Sequence, residues 1–312
     1  MQEDLDEKIR ILYKIYQKCE LCPKRCRVNR LKNQKGFCRA PSQIKLYSYF
    51  PHKGEEPPIS GKNGSGIVFF SHCNLRCVYC QNYKFSHLEE GQILSPQKLS
   101  DIFLELQDLS VHNINLVTAT QFLPPILEAI KISKSKGLNL PIVYNTSGYE
   151  NPEIIEILEN VVDIYLADFR YLNPVYSLKF SNSSDYPQVV LKALKKMYEK
   201  TGDLLYEDGI LKKGLIIRVL VLPSLLEEAK NILIKIKEIF GDKKIGVSLL
   251  TQFYPFYKAK DFTEINRRLT NSEVEEIIDF FLSLKFYEGW FQIDRGEDKF
   301  SGERFKQRVY KK

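Results

Sequence analysis

Gly66-Ile67-Val68-Phe69-Phe70-Ser71-His72-Cys73-Asn74-Leu75-Arg76-Cys77-Val78-Tyr79-Cys80 joins an unbroken apolar run to a loop with three cysteines. The apolar part is rich in β-branched and aromatic residues and reads as a buried strand. Five runs of the same kind follow, at 113–118, 141–146, 162–169, 215–222 and 244–250. Stretches with helical apolar spacing lie between or after them, at about 96–109, 123–136, 152–159, 187–200, 224–239 and 272–285. Ser95-Pro96 and Asn151-Pro152 place proline early in a helix, and Thr270 precedes Asn271-Ser272-Glu273 as a capping residue. Near-continuous apolar strands alternating with amphipathic helices make a parallel sheet covered by helices. Periodicity leaves a partial (β/α)6 barrel and a doubly wound sheet both open. Either one puts its chemistry at the carboxyl ends of the strands. Cys73 follows the first strand directly, so the cysteine loop emerges at that end.

Cys73, Cys77 and Cys80 are spaced Cys-x3-Cys-x2-Cys. Thiolates are soft anionic donors that suit iron–sulfur cubes, and a [4Fe–4S] cube usually takes four of them. Three therefore leave one iron open to bind and activate another molecule. A structural zinc loop would need a fourth ligand, for which His72 and His87 are near in sequence. The other four of the chain's 7 cysteines, Cys19, Cys22, Cys26 and Cys38, lie at Cys-x2-Cys-x3-Cys-x11-Cys and close a four-thiolate site. Structural Zn(Cys)4 would staple a core-poor segment. An auxiliary [4Fe–4S] cluster would relay electrons or touch substrate. Zinc's usual two-by-two spacing is not matched cleanly, so iron–sulfur is the favoured expectation and zinc stays open.

At 312 residues and 44% hydrophobic content the chain can bury a large core. Its net charge is +7, from 46 Lys+Arg against 39 Asp+Glu. Lys299, Arg304, Lys306, Arg308, Lys311 and Lys312 form a basic tail, which reads either as a contact for nucleic acid or an acidic partner, or as a solvated end. The charged N-terminus has no apolar h-region, and Arg218 interrupts the apolar run at 215–222, so neither a secretory signal nor a membrane span is expected. The expected location is cytoplasmic, where clustered cysteines are metal ligands rather than disulfides. The expected organisation is an N-terminal helix and four-cysteine segment over 1–62, mostly loop after residue 18, with a short strand near 44–49. The barrel takes 63–295 and the basic tail 296–312. No carboxylate pair, Ser-His-Asp order or phosphate-cradling glycine loop points to another chemistry.

The Cys73–Cys80 loop resembles the cluster loop of the radical S-adenosylmethionine (SAM) superfamily. The wider run from His52-Lys53-Gly54-Glu55-Glu56-Pro57-Pro58-Ile59-Ser60-Gly61 through Gly64-Ser65-Gly66 and Phe69-Phe70-Ser71 to Cys80-Gln81-Asn82-Tyr83 is more specific. It resembles the uncharacterised branch related to the pyruvate formate-lyase activating enzyme. The similarity continues through residues 112–118, Tyr144-Asn145-Thr146-Ser147-Gly148-Tyr149, 163–166 and 218–223. The resemblance implies a partial (β/α)6 TIM-like barrel. It implies a [4Fe–4S] cluster on Cys73, Cys77 and Cys80, with SAM chelating the open iron. An external donor of the ferredoxin or flavodoxin type supplies an electron, SAM is cleaved, and the 5′-deoxyadenosyl radical abstracts a hydrogen atom.

Further site residues follow from the same resemblance. Tyr79 is expected against adenine. Thr118, Ala119 and Thr120 stand where activating enzymes carry a Gly-Gly-Glu motif, and their hydroxyls and carbonyls are expected at the SAM amino group. Asn145, Thr146 and Asp168 are expected near the SAM end groups, with Asn145 replacing an acid of a cation site. Arg170 replaces a lysine, and His72 stands where relatives usually have glycine. Arg218 is expected to contact SAM, with the SAM carboxylate or Asp168 as its anion; a buried structural ion pair is the alternative. Leu220 and Val221 are expected near ribose or adenine, and Gln252 and Tyr254 at the rim. The expected activity is that of a radical SAM oxidoreductase that forms a glycyl radical in a partner protein. Modification of a peptide, a nucleic acid or a small cofactor precursor is the rival reading, and an iron–sulfur scaffold or sensor the non-enzymatic one.

Overall fold

The computed structural model describes residues 2–292, so the basic tail expected from Lys299 onward lies outside the described residues. The chain opens on α1 (Gln2–Gln17), an irregular segment carrying four cysteines, β1 (Ile44–His52), the short turn α2 (Pro57–Ser60) and β2 (Ser65–Phe70). After the second cysteine loop come α3 (Tyr83–Ser86), β3 (Gln92–Leu94), α4 (Pro96–Asp108) and β4 (Ile114–Val117). There follow α5 (Leu123–Ser135), β5 (Ile142–Thr146), α6 (Pro152–Ile157), β6 (Ile164–Asp168), α7 (Pro174–Ser181) and α8 (Tyr186–Thr201). The last part is β7 (Leu205–Glu207), β8 (Ile210–Leu220), α9 (Leu226–Phe240), β9 (Gly246–Leu250), α10 (Asn271–Ser283) and β10 (Glu288–Gln292).

The sheet runs β10-β9-β8-β6-β5-β4-β2-β1-β3, with β7 added to β8. From β10 to β2 every neighbour on this path is parallel. All six expected strands are present, and β10 is a seventh parallel one. Its sequence, Glu-Gly-Trp-Phe-Gln, is too short and too little branched to have been read as a strand. β1 and β3 pair antiparallel at the β2 edge, so the four-cysteine segment and the barrel share one sheet through β1.

Alternation along the strands decides between the two architectures left open by the sequence. Val68, Phe70, Leu116, Tyr144, Tyr165, Ile217 and Val247 pack in one large core with the buried side chains of α1 and of α4 through α10. Their neighbours Val143, Ile164, Leu166 and Ile216 point the other way and pack with Ile59 of α2. Long helices thus cover one face only. On the other face Phe69 of β2 and Trp290 of β10, far apart in strand order, line one cavity. The sheet is curled into a partial barrel, open between its two edges.

Local signals agree with this. Leu99, Ile102, Phe103 and Leu106 of α4 are buried at helical spacing, each worth about 1.5–3 kcal/mol. Ser95 caps that helix with Pro96 behind it, and Thr270 with Glu273 forms a capping box on α10. α7 was not legible, because it is short and exposes Val175 and Leu178. Among the described residues no helix is long and apolar enough to cross a membrane.

Candidate active site

The cysteine loop leaves the carboxyl end of β2 through His72, whose φ of 68° is left-handed. It is held on several sides: Asn74 Nδ2 donates to Tyr149 O at 2.8 Å, Val78 N to Phe180 O at 2.9 Å and Arg76 Nη2 to Phe37 O at 2.8 Å. Cys73, Cys77 and Cys80 all line the cavity inside the curled sheet, whose volume is about 830 Å³. The Ser181 hydroxyl donates to Cys77 Sγ at 3.0 Å, Arg170 Nη1 lies 3.5 Å from the same sulfur, and the Leu75 N–H points at Cys73 Sγ at 3.4 Å.

Burial pushes the Cys73 thiol up to about 12, and the Cys80 thiol higher still; neighbouring thiols add to this and Arg170 opposes it. Neither thiol ionises alone at neutral pH, so a bound metal centre must displace its proton. Among the described residues no three His, Cys, Asp or Glu side chains are gathered tightly enough for a single ion. A cube takes each thiolate on a different iron and does not require that. Three soft donors on one held loop, facing one cavity beside a guanidinium, fit an anionic iron–sulfur centre.

Tyr79, Thr118, Asn145, Thr146, Asp168, Arg218 and Leu220 also line the cavity, as do Gln252 and Tyr254. The Tyr79 hydroxyl shares a 2.5 Å hydrogen bond with Tyr171, and its ring meets Phe253 edge-on at 5.9 Å. Gly148 lets the rim after β5 close against β6, since a Cβ there would lie 2.3 Å from Asp168 O.

Ala119 and Thr120 do not line the cavity. Thr118 takes a left-handed φ of 57°, and the chain then turns into a 3-10 helix that buries the next residues. The Thr120 hydroxyl donates to Glu150 Oε1 at 2.7 Å and accepts from Tyr144 at 3.0 Å. Only Thr118 of the three reaches the cavity wall. Gln121, to which no role had been assigned, braces two strand ends: its Nε2 donates to Ser71 O at 2.8 Å, His72 O at 3.1 Å and Thr118 O at 2.7 Å.

Arg218 also has partners the sequence did not reveal. Its Nε and Nη2 each lie 2.7 Å from an oxygen of Glu56, and Nη2 also pairs with Glu55. Asp168 pairs instead with Arg170 at 2.5 Å. Burial alone would raise the Glu56 carboxyl, but Arg218 beside it prevails and holds it below its ordinary value. The signal for this triad was present: two adjacent acids in the Pro- and Gly-rich segment 52–61, and one arginine in an apolar strand. What brings them together is Ile59, which plugs the barrel floor while Asn113 Nδ2 holds its carbonyl at 2.8 Å.

The four N-terminal cysteines lie beside this site. Burial, first, and neighbouring thiols push the Cys22 and Cys38 thiols up; Cys19 acts on both, Cys38 on Cys22, and Cys26 on Cys38. Gly36 is packed so closely that a Cβ would lie 2.9 Å from Cys26 Sγ, and the Phe37 N–H donates to that sulfur at 3.2 Å. Arg30, 2% exposed, lies 4.0 Å over the Tyr16 ring and donates to Gln121 O at 2.6 Å and to Pro41 O. Among the described residues no carboxylate is recorded against it, and its charge acts on Cys38 and Cys19.

A sequence profile described as the radical SAM superfamily matches residues 67–210. Over 282 residues the chain is 31% identical to an uncharacterised protein of Methanocaldococcus jannaschii, covering 88% of this chain and 77% of that one. The chain belongs to the radical SAM superfamily. It is 27% identical over 120 residues to the pyruvate formate-lyase-activating enzyme of Clostridium pasteurianum, a match spanning 37% of this chain and 49% of that enzyme. A solved structure of native anSMEcpe with bound AdoMet and Cp18Cys peptide aligns with TM-score 0.48 at 12% identity, covering 70% of this chain and 60% of that one. As a radical SAM protein the chain works with a [4Fe–4S] cluster and SAM. Cys73, Cys77 and Cys80 fall inside the matched residues, whereas Cys19, Cys22, Cys26 and Cys38 precede them.

Proposed function

We propose that Cys73, Cys77 and Cys80 hold the [4Fe–4S] cluster, and that SAM binds its open iron within the cavity. Bound together, cluster and SAM supply reductive cleavage to a 5′-deoxyadenosyl radical that abstracts a hydrogen atom, the electron coming from an external donor of the ferredoxin or flavodoxin type. The observation that carries this reading is the convergence of three thiols from one tightly held loop on a single cavity at the carboxyl ends of parallel strands. The chain's own residues bind, orient and exclude water. Arg170, beside Cys77 and paired with Asp168, offers the SAM carboxylate a guanidinium, and Asp168, Asn145, Thr146 and Thr118 offer acceptors to its ammonium. Tyr79, Leu220 and Phe253 give the adenosine an apolar wall.

The substrate reading with most support is a partner protein that receives a glycyl radical. The local match to an activating enzyme supports it, as does an aromatic rim: Tyr254 and Phe291 are 40% and 39% exposed yet line the cavity. The four-cysteine group is assigned a second [4Fe–4S] cluster. Arg30 supports this, because a buried guanidinium with no recorded carboxylate partner calls for an anionic thiolate centre beside it. Zinc at the same thiolates would satisfy Arg30 equally and is separated by metal analysis.

Reduced protein with SAM is expected to release 5′-deoxyadenosine, and Cys77→Ser, with the four-cysteine group intact, to release none. Equal yields from the two would overturn the assignment of the loop. A glycyl-radical EPR signal that needs both the partner and SAM would support the activating role; 5′-deoxyadenosine formed with a small substrate and no partner would replace it.

A further inference from the structure

We infer that Ser181 and Tyr171 are positioning residues that set the reduction potential of the cluster on the Cys73–Cys80 loop. They act through a line of hydroxyl hydrogen bonds that runs from Tyr79 in the cavity wall to Cys77 Sγ. The inference rests on that loop holding the cluster, and it adds two residues that tune it. α7 ends against the loop: its Phe180 and Ser181 carbonyls accept from Val78 N at 2.9 Å and from Arg76 N at 3.3 Å. A helical serine commonly turns its hydroxyl back to its own helix, as Ser177 does to Pro174 O at 3.2 Å. Ser181 instead points its hydroxyl at Cys77 Sγ, 3.0 Å away. The Tyr171 hydroxyl lies 2.9 Å from Ser181 Oγ, and the Tyr79 hydroxyl lies 2.5 Å from that of Tyr171. Ser181, Tyr171, Tyr79 and Cys77 are all buried, so water does not compete for these bonds.

Each hydroxyl has one proton, which gives the line its direction. A ligating thiolate can only accept, so Ser181 donates to Cys77. Tyr171 must then donate to Ser181, and Tyr79 to Tyr171. Arg170 stands at the head of the line: it hydrogen-bonds the Tyr79 hydroxyl, and its Nη1 lies 3.5 Å from Cys77 Sγ. Bonds arranged head to tail polarise one another and strengthen the last. Cys73 and Cys80 are served differently, by the backbone N–H groups of Leu75 and Asn82. Those donors belong to the loop itself, whereas the donors on Cys77 are side chains from outside it. A reduced cube carries one more negative charge than an oxidised one, and a donor on a ligand sulfur stabilises that charge. Removing the donor makes the cube harder to reduce, which lowers its potential.

The test is an anaerobic redox titration of the full chain loaded with cluster, followed by EPR at the signal that shifts on adding SAM. Ser181→Ala should lower the midpoint potential, with a drop of about tenfold in the reduced-to-oxidised ratio at the wild-type midpoint. Tyr171→Phe keeps the ring and the Ser181 hydroxyl, and should lower the potential by a smaller factor. Ser177→Ala removes a buried hydroxyl of the same helix whose partner is a carbonyl, and should leave the potential unchanged. An unchanged or raised potential in Ser181→Ala or in Tyr171→Phe, or an equal shift in Ser177→Ala, would overturn the inference. Where Ser181→Ala does not hold the cluster, Tyr171→Phe decides, since it leaves Ser181 in place. Cys77→Ala separates this from the assignment of the loop. Loss of the SAM-responsive signal in Cys77→Ala, together with an unshifted Ser181→Ala, would count against the inference alone. A SAM-responsive signal retained in Cys77→Ala would count against the loop as the holder of the cluster.

Discussion

His72 Nδ1 donates a hydrogen bond of 3.1 Å to the carbonyl oxygen of Cys38. This ties the residue before Cys73 to the last of the four N-terminal cysteines. Burial lowers the imidazole pKa to about 4, so the ring is neutral with its proton on Nδ1, as that acceptor requires. His72 also holds a left-handed φ, a conformation that glycine adopts at little cost.

His72→Gly should therefore be nearly neutral. It loses one hydrogen bond, about 1 kcal/mol, and relieves left-handed strain of about 1–2 kcal/mol. His72→Ala loses the bond without that relief and should be less stable than His72→Gly. Urea unfolding of both variants checks the order, and the reverse order would contradict it.

Arg30→Met should remove a buried cation that nothing replaces. The carbonyls of Gln121 and Pro41 lose their donor, and the four-cysteine group loses its nearby positive charge. Unfolding free energy should drop by about 2–5 kcal/mol. Metal recovered at the four-cysteine group should fall, while the SAM-responsive cluster is retained. Unchanged stability and metal content would show that Arg30 serves neither role.

Glu56→Gln should cost about 3–5 kcal/mol, because it strips a buried guanidinium of its bidentate partner. The pKa of Glu56 is lowered in the folded protein, so its contribution is present above the ordinary carboxyl pKa and fades as pH falls through the folded value. The variant should lose that part of the acid limb in a pH series of unfolding curves.

Glu150 has the opposite sign. Burial raises its carboxyl from 4.5 to about 7, against the hydroxyls of Thr146 and Thr120, which favour the charged form. Among the described residues its Oε2 has no partner. A raised folded pKa means stability that is full below the unfolded pKa and is lost as pH rises through the folded one. Glu150→Gln keeps the neutral form at all pH and should exceed wild type by about 3 kcal/mol at pH 8, with little difference at pH 4. A constant difference across that range would contradict it.

The alternation of apolar runs and amphipathic stretches made all six central strands and, α7 apart, the long helices between them legible, because burial leaves a pattern that short-range reading detects. Periodicity left barrel and doubly wound sheet open, since the choice depends on which face the helices cover, a long-range fact; the family resemblance alone implied the barrel. Spacing singled out Cys73, Cys77 and Cys80 as one group, and all three line the cavity. The side taken by Thr120 could not be read, because a hydroxyl at a strand end faces either side according to one backbone angle at Thr118. Arg218 announced that it needed an anion, but the identity of Glu55 and Glu56 depended on how Ile59 plugs the floor, about 160 residues away in the chain.

The most direct test of the central claim is anaerobic reconstitution, with iron, sulfide and zinc counted and EPR spectra of the reduced protein recorded with and without SAM. The account predicts about eight irons, no stoichiometric zinc, and two cube signals of which only one shifts on adding SAM. Intact cluster signals that do not respond to SAM would contradict it.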